Sequence, residues 1–199
     1  MLPTVTTVFL SMALMASIAT FSRLESRELV HWLIFFYFVV YRIKVYLDDL
    51  QFYERVDKGI YRSTVEVHRG IETVFAVASW TLWISVAVWL ANPKLYFILT
   101  GANFLLALSW IGFNAKFLID WQRDKAEPRV AQVYKTWATA NFGAIVGCAL
   151  LTVAYGFAIP SSIGLPLKLG GIMILAGFLV WDIARSWRFT LGFPKKEIS

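Results

Sequence analysis

Six apolar runs, each long enough to cross a bilayer or nearly so, constrain this chain more than anything else in it. They cover roughly Val5–Phe21, His31–Leu47, Thr73–Ala91, Leu95–Ile119, Thr136–Ile159 and Leu167–Trp181. A bilayer core about 30 Å thick takes about 20 helical residues. Lipid offers no hydrogen bonds to the backbone, so such runs must be helices. Six of them leave no room in 199 residues for a separate soluble domain. The expected fold is therefore an all-α polytopic membrane protein, one transmembrane domain over residues 1–199.

Composition agrees. The chain is 58% hydrophobic and 16% charged, against about 45–50% and 25% in soluble domains. The first run is the weakest, because it carries Thr6, Thr7, Ser11, Ser17 and Thr20. A cleaved signal peptide would need Lys or Arg before its apolar stretch. None is present, so a first span is expected.

The connections alternate in kind. Residues 22–30, 92–94 and 160–166 are short and rich in turn formers, such as Asn92-Pro93 and Pro160-Ser161-Ser162. Residues 48–72 and 120–135 are longer and densely charged. The pattern predicts three helical hairpins, over 3–49, 72–121 and 128–189. Fifteen Lys and Arg fall on the side of the charged links and the C-terminal tail, and only Arg23, Arg27, Lys94 and Lys168 on the other. The positive-inside rule then puts both termini in the cytoplasm, in a plasma or bacterial inner membrane. The second helix is expected to run on past its span towards Gly59, and Pro128 suits the first turn of the fifth.

Several polar groups could carry function. Asn103 and Asn114 lie about three turns apart on one face of the fourth helix, with Trp110 on the same stripe. Either they hydrogen-bond between helices or, with Asn141, they line a permeation path. Asp120 and Asp182 each precede an Arg by three residues. The local reading is an i,i+3 ion pair, for Asp182 with Arg185; the functional one is an acidic ring at a pore mouth. Arg42, Lys44, Lys116, Arg185 and Arg188 are expected to extend to lipid headgroups. Lys44-Val-Tyr-Leu-Asp48 and Lys116-Phe-Leu-Ile-Asp120 form a faint repeat. No span is expected to hold a charge at its midplane.

The fifth helix has Gly143-x-x-x-Gly147 overlapping Ala140-x-x-x-Ala144. Gly170 and Gly177, with Gly171, give the sixth a similar small face. Such faces let two helix backbones approach closely, within one chain or between copies.

No phosphate-cradling loop, nucleophile elbow or metal-ligand pair is present, and Cys148 stands alone. No catalysis, cofactor, metal or nucleic acid is expected. The expected partners are the bilayer, further copies of the chain and a cytoplasmic protein. The leading functional expectation is a homo-oligomeric pore or channel for ions or small solutes. A non-catalytic anchor or sensor subunit and a small-solute transporter are the alternatives.

Overall fold

The computed structural model describes residues 2–25, 29–57, 66–117 and 128–190, with side chains described over 5–25, 29–51, 73–113 and 132–187. Every element among them is helical: α1 (Leu2–Ser22), α2 (Leu29–Asp57), α3 (Glu66–Val88), α4 (Pro93–Phe117), α5 (Pro128–Gly156) and α6 (Ser161–Thr190), with a 3-10 turn at Trp89–Ala91 prolonging α3. All six α-helices are long and apolar enough to span a membrane. The first run is therefore helical and of spanning length, despite its hydroxyl residues.

Local chemistry sets the ends. Pro93 opens α4, where its missing N–H leaves no bond unmade. Asn92 caps it, its Oδ1 accepting from the Leu95 N–H at 3.2 Å. α2 runs to Asp57, about three turns past the expected span end at Leu47. α5 starts at Pro128, as the sequence suggests, but ends at Gly156 instead of Ile159. Pro160 lies just beyond and disfavours a helical Ile159. The Pro160 carbonyl then accepts the N–H groups of Ile163 and Gly164 at 2.9 and 2.8 Å. Those bonds start α6 at Ser161, six residues earlier than expected, and it runs through Pro166.

The helices expected to pair as hairpins, α1 with α2, α3 with α4 and α5 with α6, are in contact, and further contacts join them. α5 lies against both α4 and α6, and α1 against both α2 and α3, while α2 also meets α6. α5 manages two neighbours by having two small faces. Ala140, Ala144 and Cys148 are buried on one, where a Cβ on Gly101 of α4 would sit 3.4 Å from that of Cys148. Gly143 and Gly147 form the other, against α6. A Cβ on Gly143 would fall 2.1 Å from the Phe178 ring, and one on Gly147 would fall 3.1 Å from the Gly171 carbonyl oxygen. The glycine motif thus closes a helix pair inside one chain. On α6 the contacting glycine is Gly171. Gly170 and Gly177, expected to share that packing, face open space.

The core is aromatic and aliphatic, built around Phe38, Trp83, Leu90, Tyr96, Phe104 and Leu151. The outer faces carry exposed Met15, Phe36, Val74, Leu105, Phe142, Met173 and Val180. Such a surface suits lipid tails and not water.

Candidate functional site: a charged cleft between five helices

The inner face of α2 is not apolar throughout. Ile34, Phe38, Tyr41, Arg42, Lys44 and Asp48 are all buried. Two of these residues were expected to reach headgroups, yet Arg42 is 1% exposed and Lys44 is 6% exposed. Both point into the bundle because α2 packs against neighbours at that height, leaving no lipid path for a long side chain.

Lys44 is the centre of a buried ion triad. Its ammonium contacts the Asp48 carboxylate one turn on and lies 2.5 Å from the Asp182 carboxylate of α6. It also sits 5.5 Å from the centre of the Trp137 ring of α5, within cation–π range. The Ser186 hydroxyl donates to the Asp182 backbone carbonyl at 2.8 Å and lies 3.4 Å from its carboxylate. The expected Asp182–Arg185 pair is not formed: Asp182 points inward to Lys44, and Arg185 is exposed. Charges buried in apolar surroundings cost several kcal/mol each unless paired, and this triad pairs them across two helices 138 positions apart in sequence.

The triad opens on a half-open cleft of about 810 Å³, its mouth included. α2 supplies Tyr41, Lys44, Asp48 and Asp49; α3 supplies Phe75, Ser79 and Trp80; α4 supplies Ala107, Trp110 and Ile111; α5 supplies Trp137 and Asn141; α6 supplies Asp182. Lys44 and Asp48 fall within the apolar stretch Leu29–Gln51 of α2, and Asp182 within the stretch Ser161–Trp187 of α6.

Arg42 is a further buried charge. It lies within the apolar stretch Leu29–Gln51 and is 1% exposed. Its guanidinium lies 5.0–5.2 Å from the ring centres of Phe38, Tyr41 and Trp83. Its Nε and Nη1 have no hydrogen-bond partner among the described residues. Aromatic faces compensate only part of the lost hydration. Arg42→Met should therefore raise stability, by about 1–3 kcal/mol in chemical unfolding of the purified protein. A clear loss would show that the guanidinium holds the fold together.

Of the expected polar residues, Asn103 and Asp182 are 3% and 5% exposed within one chain, and Asn141 lies on the cleft wall. The side chains of Asn114, Lys116 and Arg188, and the whole of Asp120, lie outside the described residues. The structure adds Asp49, Ser79, Trp137 and Ser186, which sequence reasoning did not single out. One signal was available: Lys44 and Asp48 stand at i,i+4 spacing, where opposite charges meet on a helix. Comparison with known proteins finds no matching family model, no matching curated protein and no matching solved structure.

Proposed function

We propose that this chain is a small-solute transport protein of the membrane that handles its solute in the cleft within each chain. The observation behind this reading is the Lys44–Asp48–Asp182 triad, buried inside the spans and opening on that cleft. Ionisable groups held within spans are costly and tend to mark solute or proton routes. The expected lack of a midplane charge weighs against proton-coupled transport, whereas the buried Arg42, Lys44, Asp48 and Asp182 supply ionisable groups inside the bundle.

A pore between copies of the chain is less well supported. Its candidate lining groups Asn103 and Asp182 are enclosed by their own helices and unavailable to an axis between chains. The outer faces that copies would share are apolar. With the links on the cytoplasmic side, as the positive-inside rule suggests, the triad end of the cleft faces the cytoplasm.

The test is reconstitution into liposomes, with solute-driven currents recorded across a panel of small charged solutes. A carrier gives transient currents that saturate with solute concentration. Asp182→Asn should reduce them about tenfold or more, as expected for losing one charge-assisted contact. Sustained single-channel conductance that Asp182→Asn leaves unchanged would overturn the proposal.

A further inference from the structure

The cleft has an imbalance of charge and of hydrogen-bonding capacity. Three carboxylates line it, Asp48, Asp49 and Asp182, against one cation, Lys44. Lys44 is already engaged by two of them. Asp49 makes no hydrogen bond or ion pair among the described residues. The Oδ1 of Asn141 is also buried without a partner there, because its amide nitrogen donates to the Trp137 carbonyl at 2.7 Å. Asp49 and the Asn141 Oδ1 are acceptors, so a ligand that engages them brings donors and positive charge.

The rest of the wall narrows the class. Trp80, Trp110 and Phe75 supply large apolar surface. A hydrated inorganic cation gains nothing from such surface, whereas an organic cation buries its body against it. The described residues contain no group of three or more His, Cys, Asp or Glu placed to hold a metal ion. The chain's own Lys44 shows how the cleft receives an alkylammonium: carboxylates on one side and an indole ring 5.5 Å away.

We infer that the cleft binds a small organic ammonium ion, its charge against Asp49 and Asn141 and its apolar body against Trp80 and Trp110. This rests on the reading of the cleft as the solute site and names the class of solute. Lys44 keeps Asp48 and Asp182 occupied, which leaves Asp49, nearer the end of the span, as the docking charge.

Binding is tested on the full chain in lipid nanodiscs by calorimetry, with 2-phenylethylammonium as probe and neutral 2-phenylethanol as its isostere. The ammonium should bind saturably, and the alcohol about tenfold or more weakly, the expected worth of one charge-assisted contact. Asp49→Asn should lower ammonium affinity by about the same factor, and Asp49→Glu should restore it. Melting temperatures near that of the parent show that both variants fold. Equal binding of amine and alcohol, or parental affinity in Asp49→Asn, would overturn the inference, as would sodium displacing the amine at equal concentration. Ammonium binding without any flux in liposomes would sink the transport reading and leave the site standing. Flux of another solute with no ammonium binding would do the reverse.

Discussion

Lys44→Met is expected to cost about 3–5 kcal/mol of stability, the usual penalty for stripping a buried ion cluster of one partner. The ammonium is the common partner of Asp48 and Asp182. Without it, two carboxylates with side chains 8% exposed lose the cation they share. Unfolding in mixed detergent micelles, followed by tryptophan emission, would measure the loss. The triple variant Lys44→Met, Asp48→Leu, Asp182→Leu should recover most of it, since apolar groups of similar volume replace a buried ion cluster at little cost and sometimes at a gain. If the triad exists for transport, the triple variant is a stable protein that moves no solute. If it exists only to join α2 to α6, the triple variant transports like the parent. A Lys44→Met protein as stable as the parent would show that the three charges are not enclosed as described.

The contrast between Lys44 and its neighbour Arg42 shows what the sequence can and cannot reveal. Both are basic residues near the end of an apolar run, and local reasoning sends both to headgroups. Their fate depends on what lies opposite. Asp182 approaches Lys44 from a helix 138 positions away, and nothing local to either residue announces that meeting. Arg42 meets the rings of Phe38, Tyr41 and Trp83 instead of an anion. The spans themselves were readable, because a run of apolar residues carries its own reason to be a helix in lipid. The ends marked by Asn92-Pro93 and Pro128 were readable too, since proline acts through its own missing N–H. The rotation of each helix about its axis was not. That rotation decides whether a polar residue is a headgroup anchor, a packing bond or a site. The same limit applies to Asn103, enclosed in the bundle, and to Asn141, brought to the cleft wall.

The glycines pose that question in its sharpest form, and Gly147→Leu should be strongly destabilising. Gly143, Gly147, Gly170, Gly171 and Gly177 are indistinguishable by composition, yet only some meet a neighbour. A Cβ on Gly147 would lie 2.9 Å from Leu175 and 3.1 Å from the Gly171 carbonyl oxygen. The second of these is backbone and cannot swing aside, so α5 and α6 must separate along their whole contact. Overpacking a tight site costs about 1–3 kcal/mol when side chains alone can yield, and a rigid backbone neighbour puts Gly147→Leu at about 3 kcal/mol or above. A Cβ on Gly170 or Gly177 meets nothing within 4 Å. Leu at either should change stability by less than about 0.5 kcal/mol, as at surface positions generally. Thermal unfolding of the three variants side by side provides the measurement. Because the Gly147 contact lies within one chain, its loss should appear as a lower melting temperature and not as a smaller assembly. The opposite pattern, with Gly177→Leu changing particle size and Gly147→Leu melting like the parent, would place the close helix pair between copies.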